Sequence, residues 1–132
     1  MVGPMKITLT SVMVDDQEKA LNFYTDVLGF VKKTDVPAGD YRWITVVSEQ
    51  QMEGPELALE PMGFEPARDF QKALYDAGIP WTAFQVEDVD AEYKRLSSKA
   101  VEFSMEPKAM DSVKVAVFDD TCGNNIQIYQ EL

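Results

Sequence analysis

The chain has 132 residues, 45% hydrophobic and 27% charged, which suits one globular domain and is too short for two of ordinary size. Twelve Lys+Arg against 23 Asp+Glu give a net charge of -11 with no basic run, which argues against a nucleic-acid partner. With no histidine and one cysteine, Cys122, the chain cannot hold a His-based triad, a nitrogen- and sulfur-rich metal site or an internal disulfide.

Residues 7–14, ITLTSVMV, read as a strand bounded by Asp15-Asp16. A helix over 16–28 follows, with Asp15 as its cap, Glu18 three residues on, and Ala20, Leu21, Phe23, Tyr24, Val27 and Leu28 on its apolar face, ending at Gly29. FVKKTDV (30–36), YRWITVVS (41–48) and ELALEP (56–61) read as three antiparallel strands separated by turn residues. Pro66 suits the first turn of a helix over 66–77, whose apolar face is Phe70, Ala73, Leu74 and Ala77. The second half runs TAFQV (82–86), a helix over 89–98, then VEFSMEP (101–107), VKVAVFDD (113–120) and NNIQIYQ (125–131). The order βαβββ therefore occurs twice. Val12, Val14 and Asp16 recur 72 residues on as Phe84, Val86 and Asp88. Such a repeat marks a supersecondary unit that needs its copy to bury its sheet.

The fold class expected is α+β, one domain over 1–132, with module one at about 6–61, a connector helix at about 62–79 and module two at about 80–132. Two curved sheets facing each other enclose a cleft. The opening MVGPMKI lacks the apolar core of a secretory leader and no terminus carries about 18 apolar residues, so the expectation is a soluble, cytoplasmic protein that engages no membrane.

The segments V-M-V-D-D with A-L-N-F-Y-T-D-V-L-G-F (12–30), F-Q-V-E-D-V-D-A-E-Y-K-R-L (84–96) and F-D-D-T-C-G-N-N-I-Q-I (118–128) resemble the vicinal oxygen chelate superfamily of glyoxalase I, bleomycin-resistance proteins and ring-cleaving dioxygenases. The resemblance implies a homodimer. It also implies four metal-ligand positions, which fall on Leu9, Ala58, Trp81 and Gln127. Leu, Ala and Trp offer no lone pair to an ion, so the expectation is no metal and no cofactor.

If those positions point into the cleft, strand alternation places Ser11, Met13, Glu56, Glu60, Ala83, Gln85, Asn125 and Tyr129 beside them. Parity on the remaining strands adds Trp43, Thr45, Val47, Val115, Val117 and Met105. The expected ligand-binding set is thus Leu9, Ser11, Met13, Trp43, Ala58, Glu60, Trp81, Gln85, Met105, Gln127 and Tyr129, an apolar wall with two indoles and a few polar groups. Cys122 lies in a turn with no histidine or cation to activate it. Two functions follow. One is a metal-free protein that sequesters a small aromatic or cationic compound. The alternative is a metal-free lyase, isomerase or dioxygenase-like enzyme with Glu60 as its base.

Overall fold

The computed structural model describes residues 3–132, so Met1 and Val2 of the expected domain lie outside the described residues. The leading strand β1 (Leu9–Val14) is followed by helix α1 (Gln17–Asn22), which runs on as a π-helical turn over Phe23–Val27. Then come β2 (Val31–Ala38), β3 (Tyr41–Val47) and β4 (Glu56–Pro61). Helix α2 (Glu65–Asp76) leads to β5 (Pro80–Gln85), α3 (Val89–Ser98), β6 (Phe103–Met110), β7 (Val113–Asp119) and β8 (Asn125–Glu131). The strands form two four-stranded sheets of order β1-β4-β3-β2 and β5-β8-β7-β6, so the repeat read from the sequence is a repeat of topology. In each sheet the leading strand pairs in parallel with the fourth, Ser11 with Ala58 and Ala83 with Gln127, while the other pairings are antiparallel.

One face of each sheet and both outer helices build a single core. Val12, Val14, Ile44, Val46, Leu57 and Leu59 come from the first sheet and Ala116, Phe118, Ile126 and Ile128 from the second. Ala20, Leu21, Phe23 and Tyr24 meet them from α1 and its extension, and Val89 and Leu96 from α3. Because side chains alternate along a strand, the opposite face of each sheet points away from this core.

The modules are tied through the end of the first helix. Its last carbonyls have no intrahelical donors, and α3 supplies cations to them. Arg95 donates from Nη1 to the Val27 carbonyl at 2.9 Å and from Nη2 to that of Leu28 at 3.3 Å, and Lys99 donates to the Asp26 carbonyl at 3.1 Å. Gly29 then turns the chain at φ +95°, a left-handed conformation that glycine adopts without strain.

Three local expectations are corrected. The cap of α1 is Asp16, whose carboxylate accepts from the Lys19 amide at 3.0 Å; Asp15 is still held to the strand seam, its amide donating to the Cys122 carbonyl at 3.2 Å. The helix expected over 16–28 is α-helical only to Asn22, after which Leu28 N–H reaches back five residues to the Phe23 carbonyl at 3.0 Å. The expected apolar face of α2 buries nothing fully: Phe70 is 55% exposed, because the helix is held by polar bonds from Gln71 and Tyr75 rather than seated in the core.

Candidate ligand-binding face

The free faces of the two sheets carry every residue expected in the cleft. On β1, Leu9 and Ser11 are exposed and Met13 is half-buried, alternating with buried Val12 and Val14. On β4, Glu60 is half-buried and Ala58 buried; on β3, Trp43 is 36% exposed. In the second sheet Trp81 is 40% exposed and Gln85 exposed, while Met105, Gln127 and Tyr129 are half-buried. Thr45, Val47, Val115 and Val117 share these faces yet are buried, so they serve as floor beneath their longer neighbours. Asn125 is also buried and spoken for, donating from Nδ2 to the Tyr75 carbonyl at 3.2 Å.

The two faces meet along the edges of β1 and β5. The Trp81 indole N–H points to the Ser11 carbonyl at 3.5 Å, and the Phe70 ring of α2 stands edge-on to Trp81, with centroids 5.8 Å apart and planes at 80°. Tyr75, one turn further along α2, donates its hydroxyl to Asp119, and this bond pushes the phenol's pKa up to about 12. Two shallow concavities lie elsewhere, one of about 460 Å³ between α3 and β6 and one of about 400 Å³ beside α1 and β2.

At the four metal-ligand positions the donor set does not fit an ion. Leu9 and Trp81 place hydrocarbon and indole there, Ala58 a methyl group, and Gln127 a single neutral amide. Among the described residues no group of three or more His, Cys, Asp or Glu is arranged to hold a metal. Glu60, the candidate base, has no hydrogen-bond or ion-pair partner among the described residues, so no second titratable group is coupled to it for proton relay.

Asp120 is a buried group that strand periodicity does not single out. It is fully buried and carries no cationic partner among the described residues. Its Oδ2 accepts from the Tyr24 hydroxyl at 2.6 Å and from Asn124 Nδ2 at 2.9 Å; its Oδ1 accepts from the amides of Cys122 at 2.7 Å and Asn124 at 3.0 Å. Desolvation raises its pKa, and these four bonds oppose the rise. Asn124 Nδ2 also reaches the Met13 carbonyl at 2.7 Å, and Gln71 Nε2 reaches the same carbonyl at 2.9 Å. The network thus joins the first helix, the free edge of β1, helix α2 and the turn before β8. The only sequence signal for it is the polar density of the turn DDTCGNN. Cys122, within that turn, is buried, and burial pushes its thiol up to about 12, so it is no nucleophile at neutral pH.

The Glyoxalase/Bleomycin resistance protein/Dioxygenase superfamily model matches residues 6–128. The chain is 53% identical over 127 residues to the uncharacterized protein YurT of Bacillus subtilis (strain 168), covering 96% of this chain and all of that one. The crystal structure of UcmS2 superposes with a TM-score of 0.85 at 28% identity, covering 98% of this chain and 100% of that one. That of TnmS3, an antibiotic binding protein from Streptomyces sp. CB03234, gives 0.76 at 27% identity with both chains fully covered. With a family match that spans nearly the whole chain, and with the paired βαβββ modules that the structure displays, the protein belongs to the Glyoxalase/Bleomycin resistance protein/Dioxygenase superfamily.

Proposed function

We propose that this protein binds a small aromatic, cationic molecule without metal and without turning it over, and that a second copy of the chain closes over the open sheet faces to complete the cleft. The observation that carries the reading is that Trp81 and Trp43 stand 40% and 36% exposed on the free faces, flanked by exposed Leu9 and half-buried Glu60. Core-filling indoles are buried, whereas ligand platforms are not. The non-ligating residues at the metal positions support a binding role over Lewis-acid chemistry, and the net charge of -11 draws cations toward the surface. The similarity to TnmS3, an antibiotic binding protein, points the same way.

Isothermal titration with planar aromatic cations, beside product analysis on the same mixtures, tests this. Binding is expected with the ligand recovered unchanged. Trp81→Ala should cost about 0.5–2 kcal/mol, the strength of an indole facing a cation. Consumption of an α-ketoaldehyde or a catechol by the purified protein would overturn the proposal in favour of catalysis. Sedimentation showing monomer alone at micromolar concentration would remove the second copy from it.

A further inference from the structure

Three strands of the first sheet bring a carboxylate and an indole to the two ends of one row on its free face. Ser11 pairs with Ala58 and Ala58 with Thr45, so the row runs Thr45, Ala58, Ser11 across β3, β4 and β1. Adjacent strands lie about 4.8 Å apart, which makes the row about 10 Å long. At its β1 end stands Trp81, whose indole N–H points to the Ser11 carbonyl at 3.5 Å. At its β3 end lies the carboxylate of Glu56. This residue pairs with Leu9 in the neighbouring row, but its side chain reaches diagonally across the strands to accept from the Thr45 hydroxyl at 2.7 Å. Between the two ends the floor is buried Ala58, which has no long side chain of its own.

Glu56 is held in place without being neutralised. A carboxylate only accepts, so the bond fixes Oε1 and leaves Oε2 with no protein donor among the described residues. Strands β1 and β4 carry no Lys or Arg, and the one cation of β3, Arg42, alternates onto the opposite face, where Glu18 and Asp35 meet it. Glu60, the other carboxylate of β4, lies one row further on, opposite Met13, with nothing to aim it. The second module uses the equivalent positions differently. The offset of 72 carries Ser11 to Ala83, and the ladders then carry Ala58 to Gln127 and Thr45 to Val117. Asn125 stands two residues before Gln127, as Glu56 does before Ala58, and it is buried and committed to the Tyr75 carbonyl. Only the first module therefore sets a carboxylate here, with a hydroxyl to aim it.

We infer that Glu56, aimed by Thr45, is the residue that selects a cationic ligand: an ammonium group meets its free oxygen while the attached aromatic system lies over Ala58 and Ser11 toward Trp81. The inference rests on the binding reading above and names the carboxylate that serves it. A charged acceptor fixed before the ligand arrives gives up less side-chain freedom on binding than an unheld one such as Glu60. Thr45 acts through Glu56 and is a positioning residue.

Calorimetry with a matched pair of probes tests this: 1-naphthylmethylamine, an ammonium ion at neutral pH, and 1-naphthalenemethanol, its neutral counterpart of the same shape. The parent protein should prefer the amine. Glu56→Gln keeps an oxygen for Thr45 and removes the charge, so it should weaken the amine at least about fivefold and leave the alcohol unchanged. Thr45→Val, for which Val117 is the precedent in the matching ladder, releases the carboxylate and should weaken the amine about two- to fivefold. Thr45→Ser keeps the hydroxyl and should restore the parent's affinity. Glu60→Gln should change the amine less than about twofold. The assignment is overturned, while the binding function stands, by any of four results: no advantage of the amine over the alcohol in the parent, equal weakening of both probes by Glu56→Gln, a larger loss from Glu60→Gln than from Glu56→Gln, or equal amine affinities for Thr45→Val and Thr45→Ser. If neither probe binds, the binding function itself falls and the assignment with it.

Discussion

Replacing Tyr24 by Phe removes one oxygen from the centre of the molecule. The ring is fully buried, stacked with Phe30 at 6.5 Å and edge-on to Phe23 at 5.8 Å, and phenylalanine keeps both contacts. What is lost is the 2.6 Å bond to Asp120, which links the first helix to the turn before the last strand across 96 residues of sequence. A hydrogen bond to a charged, desolvated acceptor contributes about 1.5–3 kcal/mol, and three other donors remain on Asp120, so the expected loss at pH 7 is about 2 kcal/mol. For a chain of this size that lowers Tm by roughly 6–10 °C.

The sign of the pH dependence follows from Asp120. Its folded pKa is raised above the unfolded value, so its contribution is fully present below the unfolded value and is lost as pH rises through the folded one. The tyrosine hydroxyl is one of the groups that hold that pKa down, so Tyr24→Phe raises it further. The variant should lose more stability at pH 7 than at pH 4, because a pKa raised further makes deprotonation of the folded protein cost more as pH rises. Urea unfolding of both proteins at the two pH values measures this. A difference below about 0.5 kcal/mol at pH 7, or one of equal size at both pH values, would refute the claim that buried Asp120 depends on Tyr24.

Other perturbations address the core, the thiol and the metal positions. Leu59→Ala, at a residue 1% exposed in the shared core, should cost about 2–5 kcal/mol in the same unfolding assay. Native Cys122 should resist iodoacetamide and aromatic disulfide reagents at pH 8 and react promptly in urea, since burial both shields it and pushes its pKa to about 12; fast native labelling would contradict that placement. Zinc, nickel or manganese added to the protein should show no stoichiometric heat of binding and no shift in Tm, because Leu9, Ala58 and Trp81 provide no ligating atoms.

The sequence by itself determined the features whose physics is local. Apolar residues at period 2 or 3.6, a turn residue after each run and a 72-residue offset suffice for two βαβββ units, since each signal lies within the element it specifies. Strand parity likewise separates Val12 and Val14 from Leu9, Ser11 and Met13, because alternation is a property of the strand alone.

Tertiary structure decided whatever depends on residues distant in the chain. Four separate segments converge where Gln71 and Asn124 donate to the Met13 carbonyl and Tyr24 donates to Asp120, at sequence separations of up to 111 that no periodicity encodes. The apolar stripe of α2 looked like a core face, yet it lies exposed beside Trp81, because a helix's moment says which side is apolar and not what covers it. Asp16 rather than the expected Asp15 caps the helix for the same kind of long-range reason, since the Asp15 amide is bonded to the Cys122 carbonyl. The bridge that Gln17 makes between β3 and β4 was beyond the sequence as well, for those strands begin 24 and 39 residues further on.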